Sequence, residues 1–173
     1  MKDKIINIVK EIIPYIIVII LAILIRTFIA SPVRVNGPSM NDTLKDGQIL
    51  LLNKMNKNYK RFDIVVIDSN GMKIIKRIIG LPGESIEYKD NSLYINNKYV
   101  EDMTDEVTAD FSLEELYGYK IIPKGYYFVM GDNRNESSDS RTSPDGIGLI
   151  KKSDIKGKVK IRLWPLNKIG KVK

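Results

Sequence analysis

The sequence predicts a mainly β protein, in which a barrel-like antiparallel β domain follows one N-terminal transmembrane helix. Two observations lead to this prediction. Apolar residues crowd the first thirty positions, and beyond Pro32 they recur in short runs separated by turn residues. With 173 residues, 43% of them hydrophobic and 28% charged, the chain has room for one globular domain of ordinary size.

The apolar run over residues 12–30 is long enough to cross a hydrocarbon core of about 30 Å. Arg26 lies near its far end, where a long side chain reaches the lipid headgroups. A cleavable signal peptide is the main alternative, but the run is long for one and Pro32 makes cleavage after Ala30 awkward. A buried helix is a weaker alternative, because a helix apolar on every face needs a larger protein around it. We therefore expect a retained anchor.

The orientation of the anchor follows from its flanking charges. Lys2, Lys4 and Lys10 precede the apolar run, and the positive-inside rule then places residues 1–11 in the cytoplasm. Residues 31–173 are expected to form an extracytoplasmic domain of a single-pass protein of the cell membrane.

Short β-strands are expected after the anchor, because apolar or alternating runs are bounded by turn pairs such as Asp46-Gly47 and Pro82-Gly83. Asn96-Asn97 is predicted to form a tight hairpin turn. The predicted strands cover residues 33–35, 49–52, 64–67, 73–79, 93–95, 98–100, 126–130 and 158–163.

Residues 101–118 interrupt this pattern. The part from Glu101 to Glu115 is acidic and contains no Lys or Arg, and Ser112 with Glu115 has the form of a capping box for a short helix. We predict a surface excursion between strands, called the acidic excursion below.

The net charge of +7 is compatible with nucleic-acid binding. The excess, however, sits in scattered lysines and in a basic tail over residues 151–173, without an Arg-rich helix, a zinc-binding spacing or an aromatic RNA-binding motif. A basic surface beside anionic lipid is the better interpretation. The lipid bilayer is therefore an expected partner and nucleic acid is not.

The chain contains no Cys and no His. Thiol catalysis, disulfides, a Ser-His-Asp triad and metal sites built on His or Cys are therefore excluded. Acid–base chemistry must come from Lys, carboxylates or Tyr, and we predict neither a metal nor a cofactor.

Ser39 is the first candidate for chemistry. It lies in a turn-rich segment over residues 37–47, where Gly37 gives the backbone freedom to turn. Such a loop can present a hydroxyl and aim backbone N–H groups at a developing oxyanion. Most serines in this setting are turn residues, so Ser39 needs a partner.

Lys76 is the second candidate, since it sits in an unusually apolar strand. Ile74 and Ile78 share its face of that strand. If this face is buried, desolvation lowers the pKa of the lysine and supplies the neutral amine that a general base needs. The opposite assignment would turn Arg77 inward instead, which is less favourable.

A polar run over residues 131–141 follows the predicted strand 126–130 directly. Runs of this composition are usually solvated loops. Asp139 and Arg141 are spaced to pair along one strand face, and a carboxylate–guanidinium pair can brace a loop against a site.

These segments together resemble the bacterial type I signal peptidases of peptidase family S26, in the short Gram-positive form. The matching segments cover nearly the whole chain in family order, and those at 76–84 and 131–141 are long and specific. They are an anchor, Ser39-Met40 with Thr43-Leu44, residues 61–66, residues 76–84, residues 131–141 and Trp164-Pro165-Leu166.

The resemblance implies a membrane-anchored serine endopeptidase with a Ser-Lys dyad. It would cleave signal peptides from secreted preproteins after small residues, in the Ala-x-Ala pattern. Ser39 would be the nucleophile, with its backbone N–H donating to the oxyanion. Lys76 would be the general base, and Ser137 would orient its amine.

The same resemblance implies supporting roles. Asp139 and Arg141 would brace the site, and Met40 and Ile75 would line small apolar pockets for the substrate. The family core is a β fold to which the substrate adds as an extended strand. We expect a monomer.

Two positions depart from the family pattern. Asp42 stands where the family usually has Pro in Ser-Met-x-Pro-Thr-Leu, so a more flexible and more acidic loop is expected after the nucleophile. Gly37 stands where some members carry a hydroxyl that donates to the oxyanion, so a backbone N–H or water must serve.

Two alternatives remain open. A self-cleaving repressor shares the fold but carries a DNA-binding helix-turn-helix where this chain has its apolar run. A membrane-anchored scaffold with an inactive peptidase fold, for example in pilus assembly, predicts the loss of Ser39 or Lys76, and both are present.

Overall fold

The computed structural model describes residues 2–69, 71–142 and 146–172. The chain begins with helix α1, Lys2–Leu24, and a π-helical turn, Ile25–Ile29. The stretch Lys10–Ile29 is long and apolar enough to cross a membrane, and none of it is buried by the rest of the protein. The predicted anchor coincides with this helical segment except at Ala30, which already begins the first strand, β1 (Ala30–Arg34).

Lys54 fastens the end of this helical segment to the folded domain. Its ammonium donates to the carbonyl oxygens of Arg26, at 2.7 Å, and Thr27, at 3.3 Å. Its backbone N–H donates to the carbonyl of Ile29 at 2.9 Å. Carbonyls that a helix leaves open at its C-terminus are thereby satisfied by a single residue.

Eleven further strands and one short helix follow β1 in the described residues. The strands of the first half are β2 Ile49–Asn53, β3 Ile64–Ser69, β4 Met72–Gly80, β5 Ile86–Lys89, β6 Ser92–Ile95 and β7 Lys98–Val100. The remaining elements are β8 Phe111–Ser112, α2 Leu113–Tyr117, β9 Tyr126–Met130, β10 Ile150–Lys151, β11 Ile155–Trp164, a 3-10 turn Leu166–Lys168 and β12 Gly170–Lys171.

The strands form two antiparallel sheets, which confirms the predicted mainly β class. The larger sheet has the order β1-β2-β11-β3-β4-β9-β10, and β12 pairs with β11. The late strand β11 therefore lies between β2 and β3, so that the first two strands reach the next two only through it.

The smaller sheet has the order β7-β6-β5-β8. The predicted hairpin turn is confirmed, since Asn96 and Asn97 adopt φ values of 51° and 61° between β6 and β7. The predicted capping box is also confirmed. Glu115 N–H donates to Ser112 Oγ at 3.2 Å, and Ser112 N–H donates to Glu115 Oε2 at 2.8 Å.

Strand β4 is buried on both of its faces. Ile75 packs into one apolar cluster, Ile78 into a second and Ile79 into a third. Lys76 and Arg77 are consequently both buried, with 3% and 1% of their surfaces exposed. The predicted burial of Lys76 is confirmed, but the sequence interpretation was wrong to treat burial of Arg77 as its alternative, because the sheet is covered on both sides.

Candidate active site

Ser39 lies half-buried in the loop that joins β1 to β2. Two hydrogen bonds shape this loop around it. Asn41 N–H donates to the carbonyl of Pro38 at 2.8 Å, and Gly37 N–H donates to Asp46 Oδ1 at 2.9 Å. The serine is therefore held within a tight turn that follows β1, an edge strand of the larger sheet.

Lys76 reaches the site from the middle of β4. Its ammonium nitrogen donates to Ser137 Oγ at 2.9 Å. No hydrogen bond joins it to Ser39 Oγ in the part of the chain that the structure describes. Burial lowers the pKa of Lys76 from 10.5 to about 8, with Asp139 opposing the shift and Arg141 adding to it. Much of this amine is therefore neutral in mildly alkaline solution.

Ser137, Asp139 and Arg141 come from the loop after β9. Arg141 donates two hydrogen bonds of 2.9 Å to Asp139, from Nε to Oδ1 and from Nη2 to Oδ2. The predicted pair is formed, although it lies in a turn and not along a strand face. Burial alone would raise the pKa of Asp139, but bonds from Arg141, the Gly131 N–H and the Ser137 hydroxyl lower it below its usual value.

Gly131 and Asn133 bring the two loops together, and sequence reasoning gave neither a role. Asn133 N–H donates to the carbonyl of Ser39 at 3.2 Å, and its side chain donates to the carbonyl of Pro38 at 3.3 Å. A methyl group on Gly131 would overlap both Ser137 Oγ and the Ser39 carbonyl oxygen. Ser39 and Ser137 therefore both approach the place that a side chain of residue 131 would occupy, so this residue must lack one.

A buried ion pair behind the site was also missed. Arg77 donates from Nε and Nη2 to the two carboxylate oxygens of Asp132, at 2.8 and 2.7 Å, and reaches Thr43 Oγ1 at 3.3 Å. This pair ties β4 to both loops. The signal was the position of Arg77 beside the apolar strand residues, with Asp132 directly after the next buried strand.

Met40 and Ile75, the predicted pocket residues, pack in one apolar cluster with Val35, Leu44 and Leu50. Met40 exposes 1% of its surface and Ile75 8%. The two side chains thus belong to the same buried cluster and are next in sequence to Ser39 and Lys76, and their contact with a substrate stays a prediction.

The site contains four functional groups. They are the Ser39 hydroxyl, the buried Lys76 amine with its lowered pKa, the Ser137 hydroxyl bonded to that amine, and the Asp139 carboxylate held by Arg141. Within residues 2–69, 71–142 and 146–172, no group of three or more carboxylate side chains could hold a metal ion. The arrangement is suited to proton transfer by an amine.

Asp42 adopts a left-handed backbone conformation, with φ at 80°. Proline is locked near a φ of −65° and cannot take this conformation. Asp42, which stands where the family usually has Pro, therefore has a backbone conformation that Pro could not adopt. Asp and Asn are the non-glycine residues that tolerate this region best.

We expect Asp42→Pro to lower the free energy of unfolding by about 1–3 kcal/mol, because the loop must abandon its turn. Asp42→Gly, the matched control, should stay within about 0.5 kcal/mol of wild type, since glycine accepts a positive φ. Thermal or urea unfolding measures both. A proline variant as stable as the glycine variant would contradict the assigned loop path.

The chain matches the sequence profile of the family described as "Signal peptidase, peptidase S26" over residues 6–164. It is 41% identical to Signal peptidase I from Bacillus licheniformis, over 90% of this chain and 88% of that protein. It is 42% identical to Signal peptidase I T from Bacillus subtilis (strain 168), over 91% of this chain and 86% of that protein.

A solved structure agrees with these matches. The crystal structure of a signal peptidase I from Enterococcus faecalis V583 superposes with a TM-score of 0.52 at 39% sequence identity, covering 58% of this chain and 96% of that chain. Fold, motif order and sequence identity point the same way, and the chain belongs to the peptidase S26 family of signal peptidases.

Proposed function

We propose that this chain is a membrane-anchored serine endopeptidase that uses Ser39 and Lys76 to remove N-terminal signal peptides from secreted preproteins. The observation that supports this best is the Lys76 amine, buried, with its pKa lowered to about 8 and bonded to Ser137 beside the Ser39 loop. A lysine in that state is a base near working pH and not merely a cation.

The first half-reaction is acylation. Ser39 Oγ attacks the scissile carbonyl carbon while the neutral Lys76 amine takes the hydroxyl proton. The Ser39 backbone N–H donates to the oxyanion that forms. The peptide C–N bond then breaks, and the Lys76 ammonium returns the proton to the leaving amine of the mature protein.

Deacylation repeats the same proton transfers with water. The Lys76 amine takes a proton from a water molecule, whose oxygen attacks the ester carbon on Ser39. The ester C–O bond breaks, the proton returns to Ser39 Oγ, and the signal peptide leaves with a new carboxyl end. Ser137 orients the amine in both steps, and Asp139 with Arg141 holds the Ser137 loop.

The proposed specificity is for small residues before the cut, in the Ala-x-Ala pattern. The signal peptide would add to the β domain as an extended strand. Met40 and Ile75, the chain neighbours of Ser39 and Lys76, belong to one buried apolar cluster that would line the pocket. Small side chains would suit a pocket lined by residues as buried as these.

The helical segment that ends at Ile29 supports the proposed location. We place residues 1–11 in the cytoplasm, the apolar segment in the bilayer and the β domain, as a monomer, on the outer face. Lys54, bonded to the last helical carbonyls, keeps that domain against the anchor.

Ser39→Ala and Lys76→Met should each lower the rate of preprotein cleavage by about 10³-fold or more, because each removes one half of the dyad. Methionine nearly matches the length of the lysine side chain. Ser153→Ala and Lys73→Met, which change exposed residues of the same types, are the matched controls and should retain full activity. The assay is release of mature product by detergent-solubilised protein. Full activity of either dyad variant would overturn the assignment, and an inactive wild type would favour a scaffold role.

The second test is pH. Because Lys76 must be neutral to act, kcat/KM should rise through a midpoint near pH 8 and level off above it. Asp139→Asn removes a charge that favours the ammonium and should move the midpoint to lower pH. Arg141→Met removes a charge that disfavours the ammonium and should move it to higher pH. An optimum in acid would contradict a lysine base.

Gly131→Ala should reduce cleavage by about 10²-fold, since the added methyl would push Ser39 and Ser137 apart. Gly80→Ala, at the end of β4, is the matched control. Its methyl would meet the flexible end of Ile122 and lie 3.1 Å from Phe128 Cβ, far along the strand from Lys76. The control should lose stability but keep its rate per folded molecule. Equal losses of rate in both variants would refute the contact.

A further inference from the structure

Arg134 is a buried arginine outside the proposed dyad, with 3% of its surface exposed. Its Nη1 lies 2.6 Å from Asp102 Oδ2, and it donates at 2.8 Å to both Tyr88 OH and Thr108 Oγ1. Its Nε donates to the carbonyl of Gly131 at 3.1 Å. One guanidinium thus joins the loop after β9 to groups far away in the sequence.

Most of these groups belong to the acidic excursion. Asp102 and Thr108 lie in it, and two further hydrogen bonds also join the excursion to the loop after β9. Thr104 Oγ1 donates to the carbonyl of Asp132 at 3.3 Å, and Asn135 Nδ2 donates to Glu106 Oε2 at 3.1 Å. Most residues of the excursion are exposed or half-buried, and it is bonded along one side of residues 131–135.

The inner side of the same residues holds the proposed nucleophile. Asn133 N–H donates to the Ser39 carbonyl, and Gly131 is in close contact with Ser39. The Arg134 carbonyl accepts from Arg141 Nη2 at 2.7 Å. The loop therefore lies between the excursion and Ser39, and its position is set from both sides.

We propose that Asp102 and Arg134 are a positioning pair, through which the acidic excursion sets the place of Ser39 in the active site. The inference rests on the proposed function and assigns a role in it to the excursion. Neither residue touches the reacting atoms, and both act through the backbone of residues 131–133.

The physical reason is the cost of an unpaired buried charge. Asp102→Asn keeps the size of the side chain but removes the charge that Arg134 faces. The guanidinium must then move toward water or toward other acceptors, and its bond to the Gly131 carbonyl moves with it. A shift of about 1 Å at a nucleophile is enough to slow a reaction by about 10²-fold.

The experiment compares Asp102→Asn with Asp105→Asn, an exposed acid of the same excursion, in the full-length detergent-solubilised protein. Each is assayed on one preprotein, well below its melting temperature and per folded molecule. Asp102→Asn should lower kcat at least 10-fold, with KM within about twofold of wild type, because the loss is in the chemical step. The midpoint of the pH profile should not move, since the pair acts on the place of Ser39 and not on the Lys76 amine. Asp105→Asn should match wild type.

A double variant, Asp102→Asn with Arg134→Met, removes both charges. If the two residues act as one unit, it should lose no more than the worse single variant. Wild-type kcat in Asp102→Asn, a loss only of melting temperature, a shifted pH midpoint or additive losses would each overturn the inference. Failure of the proposed function is distinguishable, because it would show as cleavage by Ser39→Ala or no cleavage by wild type.

Discussion

The Lys76 amine is held inside a sheet that is covered on both faces, and the remainder of the site is arranged around that constraint. Lowering its pKa from 10.5 to about 8 costs about 3 kcal/mol of stability at neutral pH. The sign follows from proton binding. Between about pH 8 and 10.5 the unfolded chain holds a proton that the folded chain has released, so stability rises with pH across that window. The negative charge of Asp139 offsets part of the lowering of the Lys76 pKa that burial causes. Arg141 keeps Asp139 ionised and in place.

Local signals were readable from the sequence and long-range ones were not. The Asn96-Asn97 turn and the Ser112 capping box depend on neighbours within a few residues, and both were predicted. Strand β5 was missed because its alternation of apolar and charged residues is only four residues long. The burial of Arg77 was misjudged because strand alternation gives the two faces of a strand but not how many of them are covered. Contacts such as the one at Gly131 depend on the whole fold.

Two buried ion pairs hold residues 131–135 of the loop after β9, and each joins an arginine to a carboxylate. Arg77 in β4 pairs with Asp132 of the loop, and Asp102 in the acidic excursion pairs with Arg134 of the loop. Buried ion pairs add little net stability, but each makes any other arrangement costly because it would leave a charge unpaired. The two ion pairs therefore fix the backbone of an irregular loop about as firmly as that of a strand. Side chains that must lie close together in a site require a backbone held this firmly.

Strand β11 has a consequence for the time at which activity arises. It lies between β2 and β3, so the strands leading to Ser39 and the strand carrying Lys76 become one sheet only when residues 155–164 have inserted. Pairings this far apart in sequence are slow to form, since loop closure must precede the contacts that reward it. A chain in which residues 155–164 have not yet inserted therefore keeps Ser39 and Lys76 in separate groups of strands. Such an order of assembly brings the two residues together only after β11 has paired with both β2 and β3.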